Sequence, residues 1–370
     1  MVDGVRLLLR AVNFYSHLIG LNNFVFDTRT GRVFTTWITT IYPIGINVVI
    51  TTAFIFCCTQ FDFVIVYKRS LTMINRWRQR KQLMHLTRKF LCLLLAHPQV
   101  KGIQRFWLFS KIFIGLTSDF SRLLLAMNIL DRVSNDQTMK LFVFLWSVAI
   151  TNLAIMHYHL LVLFVQAQYQ HLNNKLRQII QECETLKNLP QRRGTVITRC
   201  CDLSDQLEDI AKTQSRLQYV FTSFTELLAI QGAVVICATY ISIVINIYLL
   251  YYDLKYGQGA LTYTIKFTAL PCTCRFLEFL DSFIKLSNTF SFIDEHEEMK
   301  NILEKKTLFA SRLDERLEQS FESLQLQLIR NPLKLEVLGL FDICRSSTFA
   351  SFGSIIMHSI FLIQYDLEHF

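Results

Sequence analysis

Phe361, Gln364 and Tyr365 are spaced i, i+3 and i+4, so they share one face of a helix. They lie in an apolar stretch that runs from 346 to 365. Rings and an amide on one face of a membrane-spanning helix can do two things. If several copies of the face meet at an axis, the rings narrow the passage until water leaves it. Ions are then stopped without a plug, and amides rotating in bring the water back. If the face meets lipid instead, Gln364 and Tyr365 are anchors at the membrane surface, where Tyr is enriched. Met357 and His358 extend the same face inward. Residue type and spacing leave both readings open.

Other polar groups also fall in apolar stretches. Asp119 and Arg122 are three residues apart, as are Glu278 and Asp281, with Arg275 nearby. Charges inside a membrane mark either functional sites or structural pairs. The remaining motifs lack the context their chemistry needs. His157-Tyr158-His159 does not have the i, i+4 spacing of a helical metal pair. Cys272 and Cys274 lack the second pair of a zinc site. Asp294, Glu295, Glu297 and Glu298 suit the first turn of a solvated helix. The basic run from Arg76 to Lys81 flanks apolar stretches, which fits membrane orientation rather than nucleic-acid binding. There is no nucleophile with its base, no glycine-rich phosphate loop and no pair of catalytic carboxylates. Enzyme activity, a cofactor, a metal and a nucleic-acid partner are therefore not expected.

The elements that position these residues are helices. The chain has 370 residues, 52% of them hydrophobic, with 31 Phe and only five Pro. Mean hydropathy is +0.32. The apolar blocks approach the roughly 20 residues that cross a ~30 Å hydrocarbon core. Spans are expected at 37–60, 106–130, 141–165, 227–252, 261–292 and 346–365. The fold class is all-α, a polytopic membrane protein. After residue 37 the apolar stretch outlasts one span but falls short of the roughly 40 residues that two spans and a turn need. A short second span over 61–75 is expected there, carrying Lys68 and Arg69. The ten cysteines are scattered and form no disulfide framework. No cleavable leader is evident, so the first span is expected to direct insertion.

Charge orients the spans. From Phe63 to Ser118 there is no acidic residue, while basic residues recur from Lys68 to Arg105. Such segments stay cytoplasmic. The expected organisation begins with a cytoplasmic segment, 1–36, holding an amphipathic helix at the membrane surface. Four spans follow over 37–165, then a cytoplasmic helical segment, 166–220. Spans five and six occupy 221–292, and cytoplasmic anchor helices occupy 293–345. The last span is 346–365, and 366–370 is an outside tail. In 166–220, Leu172, Leu176, Ile179 and Cys183 form one stripe; Leu203, Leu207, Ile210, Gln214 and Leu217 form another. Leu313, Leu317, Phe321, Leu324 and Leu328 form a third stripe before Pro332. These stripes need partners, expected to be each other and the same helices of neighbouring subunits.

The chain resembles the insect gustatory receptors along its whole length. The resemblance is carried by RLLLRAVNFYSHLIGLNNFVFDTRTGRV, NRWRQRKQLMHL, LDERLEQSFESLQLQLIRNPLKLEVLGLF and the terminal SIFLIQYD. The family hallmark in the last span is Thr-Tyr, five apolar residues, then Gln-Phe. Here Met357-His358 replaces Thr-Tyr, Ser359 to Ile363 fill the middle, and Gln364-Tyr365 replaces Gln-Phe. The resemblance implies a seven-transmembrane-helix subunit with its N-terminus in the cytoplasm. It also implies a homo- or hetero-tetramer with other gustatory receptors, a central path for cations, and a cytoplasmic anchor. The expected function is a tastant-gated, non-selective cation channel for bitter or aversive compounds, in the plasma membrane of a sensory dendrite. Phe361, Gln364 and Tyr365 are then the pore and gate. A pocket for a small-molecule tastant is implied between helices in the outer half, where Trp146, Tyr240, Tyr248, Tyr263 and Phe267 fall. Family members are longer between the first span and NRWRQR. Two alternatives remain: a metabotropic seven-helix chemoreceptor, and a non-functional variant with a truncated second span.

Overall fold

The computed structural model describes residues 3–21, 24–26, 32–57, 78–96, 102–130, 135–188, 193–256, 265–306, 314–339 and 341–369. Helix α1 is Asp3–Leu18, α2 is Trp37–Cys57, α3 is Arg80–Ala96 and α4 is Gly102–Leu130. Helix α5 is Asn135–Asn188, α6 is Arg193–Tyr256, α7 is Ile265–Lys306, α8 is Glu315–Arg330 and α9 is Arg345–His369. Two short antiparallel pairs complete the described elements. Strand β1 (Val25–Phe26) pairs with β2 (Val33–Phe34), with Val25 opposite Phe34. Strand β3 (Glu336–Val337) pairs with β4 (Phe341–Asp342), with Glu336 opposite Asp342. The expected short second span, 61–75, lies outside the described residues, as does Leu313.

No break in the backbone accompanies the boundary expected near residue 166. Helix α5 continues for 54 residues and α6 for 64. Neither contains Pro, so nothing removes a hydrogen bond from the ladder or clashes with the preceding turn. At 1.5 Å per residue the rods are roughly 80 and 95 Å long, against ~30 Å of hydrocarbon. The fall in hydropathy near Gln166 marks a change of surroundings, not the end of a helix. Likewise α7 runs without a break through the expected junction at 292–293. Helix α9 extends through Asp366 to His369, so the expected outside tail is mostly its last turn.

The main core lies where the far ends of α5, α6 and α7 meet α8 and α3. Leu172, Leu176, Ile179 and Cys183 face Leu203, Leu207, Ile210 and Leu217, all buried. Leu317, Phe321, Leu324 and Leu328 of α8 close the bundle. Each stripe is buried because its 3.6-residue period puts every member on one side. A fully buried Leu contributes about 2 kcal/mol relative to exposure. Tyr169, Phe292 and His296 stack edge to face within this core, with centroids 5.7 Å apart in the Tyr169 pairs.

A second, smaller core joins α1 to α5. Val12, with Ile19 and Leu21 just beyond the helix, packs on Ile150, Leu153 and Ala154. Helix α1, expected to lie at the membrane surface, is docked on α5. Ser16 Oγ sits 3.2 Å from His157 Nε2, adding a polar tie. After α1 the chain turns at Gly20, whose φ is +78°. A Cβ there would lie 2.6 Å from Ile46 Cγ2, so only glycine fits both the turn and the approach of α2. Asn47 Nδ2 donates to the Gly20 carbonyl at 2.9 Å, and Tyr42 Oη donates to the Leu18 carbonyl at 2.8 Å.

Candidate functional site: the last helix and its supports

Helix α9 enters from the β3–β4 hairpin. Leu338 and Gly339 both have positive φ, 55° and 67°. Leu335 and Val337 are buried, which fixes one side of the hairpin to the bundle. The Ile343 amide donates to the Leu335 carbonyl at 2.7 Å. Cys344 starts the helix, and the Ser347 amide reaches its Sγ at 3.4 Å. The Ser347 hydroxyl and amide hold the exposed Cys344 thiol below its ordinary pKa. Arg345 pairs with Asp294 of α7 at 2.6 Å and lies over the Phe290 ring.

Along α9 the buried residues are Ile355, Ser359 and Asp366. These spacings of four and seven put one narrow stripe against the rest of the subunit. Met357, Phe361, Gln364 and Tyr365 are exposed, with Phe361 at 64% and Tyr365 at 52%. The three residues expected to line a pore therefore share the side that no described part of this subunit covers. Tyr365 stacks on His369 with centroids 4.2 Å apart.

Two of the five expected pocket residues hold this helix to α6. Tyr240 Oη lies 2.7 Å from Ser354 Oγ and 2.9 Å from His358 Nδ1. Nearer the ends of both helices, Tyr248 Oη donates to Asp366 Oδ1 at 3.1 Å. Lys255 Nζ reaches Asp366 Oδ2 at 2.9 Å. Trp146 goes elsewhere, half-buried against the α1–α5 core. Phe267 lies in the first turn of α7, and Tyr263 lies outside the described residues. The described members of the set thus divide between two places.

A polar layer crosses α4, α5 and α7. Arg122 Nη1 and Asn152 Nδ2 both donate to Asp119 Oδ1, at 3.2 and 2.8 Å. Asp281 pairs with Lys111 and, at 2.5 Å, with Lys285. Asn288 Nδ2 lies 3.3 Å from His159 Nε2. Sequence reading found Asp119 with Arg122 but set Asp281 beside Arg275 and Glu278, whose side chains lie outside the described set. It missed Lys111, which is buried despite its charge. A lone Lys inside a largely apolar run was the available signal. Among the described residues no group of three or more His, Cys, Asp or Glu could hold a metal ion.

Among the described residues, three helical stretches are long and apolar enough to cross a membrane: Val148–Leu186, Gly194–Tyr252 and Arg345–His369. The family model described as 7tm Chemosensory receptor matches residues 70–369. Gustatory receptor 36b of Drosophila melanogaster is 41% identical over 391 positions, covering all of both chains.

The chain belongs to the insect gustatory receptor family.

As a member of that gustatory receptor family it is a multi-pass membrane chemosensory receptor, of a receptor family rather than an enzyme family. The 391 aligned positions exceed its 370 residues, so part of the relative has no counterpart here. A Drosophila melanogaster gustatory receptor for bitter taste, 93a, is 24% identical over 54% of this chain and 46% of its own. The fold is that of an insect olfactory receptor. OR5 from Machilis hrabei in complex with eugenol superposes with a TM-score of 0.58 at 15% identity, covering 98% of this chain and 99% of that one.

Proposed function

We propose that this gustatory receptor is a subunit of a tastant-gated, non-selective cation channel, with α9 lining the pore. The observation that carries the reading is the split on α9. One stripe packs on the subunit, and the opposite side, with Phe361, Gln364 and Tyr365, is left for copies of itself. A ring of such faces at a four-fold axis sets aromatics and amides around the ion path, where wetting decides conduction. The tetramer is homomeric or formed with other gustatory receptors. The exposed outer side of α8, including Leu326 and Ile329, supports a cytoplasmic anchor between subunits. The ends of α5, α6 and α7 that carry the main core, 166–220 and 293–345, lie in the cytoplasm with the N-terminus.

The tastant occupies a pocket between helices in the outer half of the subunit, and Tyr240 and Tyr248 couple α6 to α9. The relative for bitter taste supports bitter or aversive compounds as the ligand class. The site of action is the plasma membrane of a sensory neuron's dendrite. A ligand opens the channel only through its greater affinity for the open state. The test is current recorded from cells expressing the chain with and without co-expressed gustatory receptors, challenged with bitter alkaloids while G proteins are blocked. Alkaloid-evoked cation current that is reduced by Gln364→Ala is expected. Silence in every combination, with the protein at the cell surface, would sink the channel reading.

A further inference from the structure

Asp366 is placed where a charge is costly. It continues the packed stripe of α9 and is 4% exposed, while its neighbours Tyr365 and Leu367 are 52% and 60% exposed. It also lies in the last turn, where the helix dipole disfavours an anion. An apolar side chain would fill this position at lower cost, because a buried ion pair rarely repays its desolvation. What the charge adds is direction. Lys255 and Tyr248 of α6 bind its two oxygens separately, at 2.9 and 3.1 Å. That arrangement fixes both the rotation and the height of the end of α9. Gln364 and Tyr365 precede it by two and one residues, so at about 100° per residue its rotation sets theirs. Lower down, Tyr240 with Ser354 and His358 makes the second fixed point.

We propose that Asp366, clamped by Lys255 and Tyr248, is the positioning residue of the gate. It acts through α6 to hold the Gln364 and Tyr365 faces in the closed orientation. This rests on the channel reading. Breaking the clamp frees the end of α9 to turn, and restoring it with reversed charges holds the helix again.

The experiment uses the full chain carrying Gln364→Cys in insect-cell membranes. A charged, membrane-impermeant methanethiosulfonate is applied from outside, and surface protein is measured in parallel. Asp366→Asn and Lys255→Met each raise the labelling rate at position 364 about tenfold, the size of a typical coupling between sites. Lys255→Asp combined with Asp366→Lys returns the rate to that of Gln364→Cys alone. A purely space-filling role would not be rescued by that reversal. Tyr248→Phe, which removes one hydroxyl and keeps the ring, raises the rate by a smaller factor. It carries the test if the charge variants do not reach the surface. An unchanged or slower rate at normal surface level, or no labelling in any variant, overturns the proposal. Labelling needs no conduction, so absent current would sink the channel reading alone and leave the clamp to be judged on labelling.

Discussion

The bundle at the far ends of α5, α6 and α7 and the more apolar lengths of α4 and α7 sort their residues in opposite senses. In the bundle, Leu176, Leu203, Leu207 and Leu324 are fully buried, and the charges are outside. Arg316 and Asp205 pair there at 2.8 Å with most of both side chains in contact with solvent. In α4 and the first half of α7, Phe113, Phe120, Phe279 and Phe283 are more than half exposed, while Lys111, Ser118 and Ser121 are buried. The contrast follows the solvent. Water drives apolar surface inward. Lipid tails are as apolar as leucine, so they give no such drive and leave polar groups to seek each other inside. One chain therefore carries two inverted burial codes, and α5, α6 and α7 pass from one to the other without a break.

The strongest way to break this comparison is to remove an inner charge. Asp281→Ala leaves Lys111 and Lys285 without their shared carboxylate, at an expected cost of about 3–5 kcal/mol. Thermal unfolding in detergent should show a large fall in midpoint, and adding Lys111→Met should recover most of it. If Asp281→Ala unfolds like the parent chain, the polar layer is not structural.

A titration inside the bundle comes next. Burial, and then the Lys300 charge, lower the His296 pKa to about 4. Its Nδ1 is buried with no hydrogen-bond partner, so the neutral ring is the form that fits. The unfolded chain binds the proton near pH 6.5 and the folded one near 4. Stability is then full above pH 6.5 and falls as the pH drops towards 4, by about 3 kcal/mol in all. His296→Phe should flatten that slope when unfolding is followed from pH 7 to pH 4. A slope that survives the substitution assigns it to other groups.

The smallest effect is expected at an outer charge. Asp205→Asn removes a partner of Arg316 in high dielectric and should cost under about 1 kcal/mol, less in added salt. A loss comparable to that of Asp281→Ala would erase the distinction between the two regions.

The stripes were legible in the sequence because a 3.6-residue period survives whichever partner covers it. Leu172 to Cys183, Leu203 to Leu217 and Leu317 to Leu328 are buried where that period put them. The length of α5 was not legible, because a hydropathy profile reports surroundings while helix continuity depends on backbone hydrogen bonds. Of the candidate gate, the shared face of Phe361, Gln364 and Tyr365 could be read from spacing alone. The roles of Tyr240 and Tyr248 could not. Their partners Ser354, His358 and Asp366 are more than a hundred residues away, and an aromatic residue with a polar tip suits a ligand pocket as well as a helix contact. Asp366 did carry a signal of its own, a carboxylate at the wrong end of a helix.

The absence of proline from α5 has a mechanical corollary. A stiff rod of roughly 80 Å that leans by about 5° around one end moves its other end by roughly 7 Å. Small angular play at one end of α5 thus becomes side-chain-sized travel at the other, with no hinge to absorb it on the way.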